Sequence, residues 1–506
     1  MRNGELESMK KVKFKMTGNA SGIVKSSESS CLCASVLKKD AGVVEGDFNA
    51  ETQRRRGTEF KMTEIGLIPE DWDVKRLGEL FVFKNGYNTD ARNYGRGIPV
   101  ASVLEALSDR PLTAKQIRGK VDASGKDQDL FSLKRGDLIF TRSSEVLEDV
   151  GRSNVYEDDA CAMFGGFVIR GRPRTKHDSE FINYLLKDSS HRNRIIAKGA
   201  GAQHYNIGQN GLAKVLVSLP PLSEQKNIAE ALSDVDELLA AMTTLIEKKR
   251  AIKQGAMQDL LTGKKRLVSF KNSESSCLCA SVLKKDAGVV EGDFNTETQR
   301  RRGTEFKMTE IGLIPEDWEV KRIGDIGQVV TGSTPPRNNS ANWGGDFNWI
   351  SAKDFNGKYI SKTEEHITEA GKRFCRLLPE NSVLVTCIAS IGLNAISKKA
   401  CATNQQINAV VCRVDSPEYL YYQICYRNGD LKLLAGQTAV PIIGKKQFED
   451  VLIPVPPLSE QEAIAEVLSD MDAEIEALEA KRAKYESIKE GMMQELLTGK
   501  TRLKGA

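Results

Sequence analysis

The sequence predicts an α+β fold: two pseudo-repeated α/β domains joined by two long helices that pair along a coiled-coil seam. Three observations predict it. A stretch of fifty residues, Ser27 to Arg76, recurs at Ser273 to Arg322 with only Ala50/Thr296 and Asp73/Glu319 differing. A heavily charged segment with helical apolar spacing closes each half of the chain. Between these, two middles carry short β-branched runs separated by Gly, Asn and Asp turns, the pattern of a mixed sheet. At 506 residues the chain has room for about three domains of ordinary size. The boundaries fall at an N-terminal extension (1–62), a first domain (63–218), a central helix (219–266), a linker repeat (267–308), a second domain (309–453) and a distal helix (454–503).

Each half opens on the copied stretch. Its first part, Ser27 to Met62 and Ser273 to Met308, is rich in Gly, Asp and Ser and reads as an inserted linker. Its Arg54 to Arg56 and Arg300 to Arg302 could graze a polyanion. Cys31/Cys33 and Cys277/Cys279 form Cys-x-Cys pairs without a nearby His, unlike structural zinc spacing, so they read as linker positions and no metal is expected. The ten cysteines read as reduced thiols. The second part is a motif, "IGLIPEDWDVKRLGEL" from Ile65 and "IGLIPEDWEVKRIGDI" from Ile311.

In the middles, Gly97–Val103 answers Phe347–Asp354, Gly136–Arg142 answers Asn381–Cys387, and Cys161–Arg170 answers Cys401–Val411. Counting from the paired cysteines sets Met163-Phe164-Gly165 against Thr403-Asn404-Gln405. From Gly165 to Val215 there are nine Lys/Arg against three acidic residues. Such a surplus could neutralise phosphates and give salt-sensitive DNA binding. Arg170, Arg172, Arg174, Lys176 and Lys198 are its candidates. Base reading asks for amides or guanidinium groups on loops, which nominates Gln203, His204, Tyr205, Asn206, Asn404, Gln405 and Gln406.

The closing segments start at "PPLSEQ", Pro220 and Pro456. The prolines end a strand-like run, and Ser223 and Ser459 are expected at N-cap, with Glu462 completing a capping box in the second copy. Gly263 and Gly499 stand where a left-handed C-cap belongs. Apolar residues recur in steps of four and three at Ile228, Leu232, Val235, Leu239, Met242 and Ile246, and at Ile464, Leu468, Met471, Ile475 and Leu478. That is the spacing of a coiled-coil seam. "GKT" at Gly499 lacks the earlier glycine of a phosphate loop, Gln494 standing there, and it ends a helix instead of opening one.

Taken together, these motifs resemble the specificity subunit of type I restriction-modification systems. The two entry motifs, "TGSTPPRNNSANWGGDFNWISAKDF" (Thr331 to Phe355) and "PPLSEQ…LLTGK" match that family's domain openings and repeat helices, in order and twice, from about Thr63 to Leu503. The resemblance implies two target recognition domains, each reading half of a bipartite double-stranded DNA sequence, on an antiparallel helix pair that docks two modification (methyltransferase) subunits. Restriction/translocase subunits would join that core. It also brings Thr331, Ser333, Thr334 and Asn404 to Gln406 to a DNA-facing loop, with Arg337, Lys445 and Lys446 as further candidates. The first middle departs, with "KNGYNTDAR" for the Thr-Pro turn, so the two half-sites should differ.

Net charge is +4, which excludes a histone-like polycation. The chain shows no amino-methylation motif, methyl-donor loop or Walker A motor. It therefore reads as non-catalytic, with S-adenosylmethionine, ATP and Mg expected on partner subunits and none here. A fused methyltransferase-nuclease would need catalytic domains for which there is no room, and an orphan coiled-coil scaffold would bind partners without DNA preference. With neither an apolar run of about 18 residues nor a signal-peptide core, the expected location is cytoplasmic, away from any membrane.

Overall fold

A computed structural model describes residues 59–199, 205–267, 270, 305–436 and 440–504. The linker copies up to residues 58 and 304, with their Cys-x-Cys pairs and arginine runs, and Gln203 and His204 lie outside the described residues, while Phe60–Met62 and Phe306–Met308, read from sequence as linker, belong to the entry hairpins. The chain divides into two compact units, one running to Thr244 and resuming at Ala480, the other Leu245–Glu479. Each unit thus takes one domain and a length of both long helices.

In the first unit the entry motif forms a hairpin, Phe60–Thr63 with Gly66–Pro69, and then the strand Asp73–Arg76. That strand pairs antiparallel with Leu216–Leu219, the run just before "PPLSEQ". The domain between them is built mainly on two small sheets, beside a two-residue pairing of Tyr205–Asn206 with Ser143–Ser144, where the turn-rich middle had suggested one mixed sheet. One has the order Phe81–Asn85, Val168–Pro173, Leu138–Thr141, Ser153–Val155; the other is Met163–Phe164, Tyr94–Ala101, Lys120–Val121. The chain passes from one sheet to the other at Gly165-Gly166. Leu138–Thr141 is buried at every position, as expected for a strand covered on both faces.

The second unit repeats the plan. Its hairpin is Phe306–Thr309 with Gly312–Pro315, and Glu319–Arg322 pairs with Leu452–Val455. The first sheet gains a strand, in the order Gly327–Thr331, Ile407–Cys412, Val383–Thr386, Asn394–Ser397, Tyr359–Ile360. The second is Glu365–Ile367, Trp343–Ile350, Cys401–Thr403. Here the chain changes sheets at Asn404 to Gln406.

The central helix spans Leu222–Leu261 and the distal helix Leu458–Leu496, each unbroken. Within the first unit they run antiparallel: Asp236 pairs with Lys489 at 2.6 Å, and Asn227 Nδ2 donates to the Leu503 carbonyl at 2.9 Å. Ile228, Leu232 and Val235 are buried and Leu239 partly so, in a cluster with Met492, Leu496 and Leu497. In the second unit Lys249 pairs with Glu474 at 2.7 Å and Lys253 with Asp472. Ile464 and Leu468 are buried and Met471 partly so, beside Met257, Leu260 and Leu261. Met242, Ile246 and Ile475 are buried and Leu478 half-buried. Each fully buried side chain of this size stabilises by about 1.5–3 kcal/mol.

The helix starts correct the sequence reading. Gln225 N donates to the Pro221 carbonyl at 3.0 Å and Gln461 N to that of Pro457 at 3.0 Å. The prolines are therefore the N-caps, and Ser223, Ser459 and Glu462 lie inside the helix. The reason is the motif's next two residues. Glu224 and Gln225, like Glu460 and Gln461, are buried, and drawing them inward pulls the first turn back by two residues. Gln225 accepts from Asp178 N at 2.9 Å and donates to the Pro220 carbonyl at 2.7 Å. Gln461 does the same with Ser416 N and the Pro456 carbonyl. Each glutamine thus ties the start of a long helix to the start of a domain helix, Ser179–Lys187 or Pro417–Tyr426.

The glutamates close a clasp. Glu224 accepts from Trp72 Nε1 at 3.2 Å and from Arg502 at 2.6 Å, and Arg502 also reaches Asp71 at 2.8 Å. Glu460 accepts from Trp318 Nε1 at 3.1 Å and from Arg266 at 2.5 Å, and Arg266 reaches Asp317 at 2.9 Å. Each clasp fastens the start of one long helix, the residues just past the end of the other, and an entry motif. Gly263 and Gly499, at φ +69° and +70°, make the turns that bring the arginines in. A Cβ at Gly263 would lie 2.4 Å from Pro315 Cδ, and one at Gly499 2.4 Å from Pro69 Cγ.

Candidate nucleic-acid interface

In the second unit the sheet-changing loop meets the end of the strand Gly327–Thr331. Ser333 N donates to the Thr403 carbonyl at 2.7 Å and Asn404 N to that of Ile350 at 3.0 Å. The two loops touch so closely at Gly332 that a Cβ there would lie 2.1 Å from the Asn404 carbonyl. Thr331 Oγ1 donates to Asn408 Oδ1 at 2.6 Å, and Thr334 Oγ1 to Gln405 Oε1 at 2.5 Å. Asn404 Oδ1 accepts from Gln406 N at 3.0 Å, and its Nδ2 donates to Gln406 Oε1 at 3.1 Å. Thr331, Ser333, Thr334, Asn404, Gln405 and Gln406 are thus brought together, half-buried or exposed. A hydroxyl-and-amide cluster already hydrogen-bonded within itself offers donors and acceptors in fixed directions, which is what reading base edges needs.

Arg337 stands beside this cluster in a different role from the one the sequence suggested. Its guanidinium lies 4.1 Å from the Trp343 ring centre and 5.0 Å from that of Trp349, and it pairs with Glu365. Trp349 Nε1 donates to the Ser333 carbonyl at 3.1 Å. Arg337 is therefore part of an aromatic brace under the loop. Arg376 supports it from the other side, donating to the Thr331 carbonyl at 2.6 Å. Sequence reasoning missed Asn408, Trp343, Trp349 and Arg376; the closely spaced tryptophans in a Gly-rich run were the available signal.

The first unit repeats the backbone of this site. Gly86 N donates to the Val168 carbonyl and Gly332 N to that of Ile407; Tyr87 N donates to Phe164 and Ser333 N to Thr403. A Cβ at Gly86 would lie 1.9 Å from the Gly165 carbonyl. The same bonds correct the alignment of the loops. Gly165 N donates to Ala101 as Asn404 N does to Ile350, and the Phe167 carbonyl accepts from Arg142 N as that of Gln406 does from Cys387 N. Gly165, Gly166 and Phe167 therefore answer Asn404, Gln405 and Gln406, one residue later than the cysteine count implied. The paired cysteines mislead because Cys401 occupies the strand position of Ala162: Leu378 N donates to Cys401 as Leu133 N does to Ala162.

The basic residues of the first middle do not gather at this loop. Arg170 is 6% exposed, donates to the Ser132 carbonyl at 3.0 Å and lies against Phe164; burial holds its pKa below the usual arginine value. Arg172 bonds both oxygens of buried Asp137, at 3.0 and 2.7 Å. These two are corrected from phosphate contacts to braces of the sheet. Arg174 and Lys176 are exposed but follow Pro173, which pairs with Phe81, at the end of the strand away from Gly165. Arg192 donates to the Val150 carbonyl and Arg194 to that of Ile65. Lys198 is exposed near Gly211, and Tyr205 and Asn206 pair with Ser144 and Ser143. Lys445 and Lys446 pair along their own helix with Glu449 and Asp450. The surplus of charge is real in sequence but divided in space.

Two domains with one backbone plan, closed by matched clasps onto two antiparallel helices and carrying differently furnished polar loops, define a duplicated recognition protein. Residues 69–251 and 315–487 match the family described as type I restriction modification DNA specificity domain. The chain belongs to that family. It is 29% identical over 455 residues, 88% of this chain and 97% of the relative, to a putative type I restriction enzyme MjaX specificity subunit of Methanocaldococcus jannaschii. It is 41% identical over 181 residues, 34% of this chain and 42% of the relative, to the MjaIX specificity subunit of that organism. The fold is similar to that of a type I restriction-modification S subunit from M. genitalium, with a TM-score of 0.51 and 14% identity over 87% of this chain and 98% of that one. Among the described residues no helix is long and apolar enough to cross a membrane.

Proposed function

We propose that this chain is the DNA-reading subunit of a type I restriction-modification assembly, each domain reading one half of a bipartite duplex site. The observation that carries the reading is the repeated loop site: equivalent backbone bonds present Thr331, Ser333, Thr334 and Asn404 to Gln406 in one domain and Asn85, Tyr87, Asn88 and Gly165 to Phe167 in the other. Identical frames with unlike side chains suit two unlike half-sites. The chain acts without catalysis of its own. Two modification subunits dock on the helices and supply S-adenosylmethionine chemistry, while restriction subunits supply ATP- and Mg-dependent steps. The test is to express the chain with a modification subunit in a methylation-free host and map methylated adenines. A single bipartite motif is expected. Substituting Asn404 and Gln406 by Ala should alter one half of it and leave the other intact. Methylation without a bipartite motif, or loss of both halves together, would overturn the reading.

A further inference from the structure

The two loop sites differ most at one position. Arg142 and Cys387 are equivalent: each backbone N–H donates to the sheet-changing loop, at Phe167 or Gln406, and each carbonyl accepts from the next loop, at Ile207 or Ile443. Cys387 is 2% exposed and turns its thiol to the Val385 carbonyl. Arg142 is half-buried, and among the described residues its guanidinium has neither an ion pair nor a hydrogen bond.

The hydroxyl of the next residue is occupied. Ser143 Oγ donates to Asn206 Oδ1 at 2.5 Å. Asn88 packs on Gly166, where a Cβ would lie 1.7 Å from its Oδ1. The loop itself offers no amide, since Gly165, Gly166 and Phe167 stand where the second domain has Asn404, Gln405 and Gln406. Phe167 is 68% exposed, so an aromatic surface flanks the arginine in place of competing acceptors. Holding a guanidinium half out of water without a partner among the described residues is unfavourable, and the sheet braces Arg170 and Arg172 are arginines that this domain does pair.

Resting on the function proposed above, we infer that Arg142 reads a guanine in the half-site of the first domain, through paired hydrogen bonds to O6 and N7 in the major groove. Arginine's planar fork matches those two acceptors, and such a pair discriminates by about 1–3 kcal/mol, roughly 5- to 150-fold.

The experiment measures binding of the full chain with its modification subunits to its mapped duplex. Each guanine of the first half-site is replaced in turn by 7-deazaguanine, which lacks only the N7 acceptor. One position should weaken binding about tenfold or more. In R142A that position should become insensitive, while discrimination in the other half-site persists as the internal control for folding. R142K, with the charge but not the planar fork, should recover salt-dependent affinity and a weaker 7-deazaguanine response than the wild type. Three results would overturn the inference: a first half-site without a G·C pair, no response to 7-deazaguanine at any guanine, or an R142A effect equal on all sequences, which would mark a phosphate contact. If scrambling the half-sites changed nothing, the proposed function itself would fail, a different outcome from intact half-site preference without an N7 effect.

Discussion

Single buried charges set the firmest expectations. The Glu224 side chain is 1% exposed and that of Arg502 8%, so removing Arg502 leaves the Glu224 carboxylate without its ion pair among apolar neighbours. R502A should cost about 3–5 kcal/mol, read as a lowered midpoint in chemical denaturation, and R266A should cost about as much through Glu460. An unchanged midpoint would mean the clasp is ornamental. Glu180 sets a pH dependence. Burial first, with Glu157, Asp178 and Asp236 nearby, raises its pKa to about 7 against a bond from Ser233. A carboxyl raised in the folded state favours folding below its unfolded pKa and loses that contribution as pH rises through the folded one. The Tm should therefore fall between about pH 5 and 8 by more in the wild type than in E180Q. Little of this was legible from sequence. "PPLSEQ" announced a helix start, but nothing in its spacing says that its Glu meets an Arg nearly three hundred residues away.

At the scale of elements, the helices were the most legible part. A seam of apolar residues in steps of three and four has one physical meaning, and the structure buries or half-buries each of those positions. The strands were legible as segments but not in register, because one residue of offset between Cys161 and Cys401 is invisible without the backbone bonds. What joins helix to domain was also hidden. Tyr184 Oη donates to Asp236 at 2.7 Å and Tyr422 Oη to Asp472 at 2.8 Å, with Lys489 and Lys253 completing matched triads. At the helix ends, G263A forces a Cβ into Pro315 at a left-handed φ and should destabilise by more than about 1 kcal/mol, measured by denaturation. Inserting four residues before Thr262 adds roughly 6 Å of helix. If the helices set the separation of the half-sites, the mapped spacer should lengthen while both half-sites stay the same. An unchanged spacer would contradict that role.

For the molecule as a whole, duplication is what the sequence displayed most openly and what the structure repeats: hairpin, paired strand, two sheets, glutamine tie and clasp, each twice. The candidate site was half legible. In the second domain the amides were nominated by their chemistry on a loop and the hydroxyls by the family resemblance, because Thr, Asn and Gln are common on turns and only the backbone bonds show that these come together. The first domain's charge surplus misled, since a count of arginines cannot tell Arg170, inside the sheet, from Arg174, exposed beyond its end, and Arg142 lay outside the stretch where the surplus is found. The central claim is that two unlike domains read one divided site. It is tested most directly by measuring the affinity of the chain, with its modification subunits, for the mapped duplex and for the same duplex with one half scrambled. Either scramble should weaken binding by roughly 10³-fold or more at physiological salt. Equal affinity for all three duplexes would contradict the account.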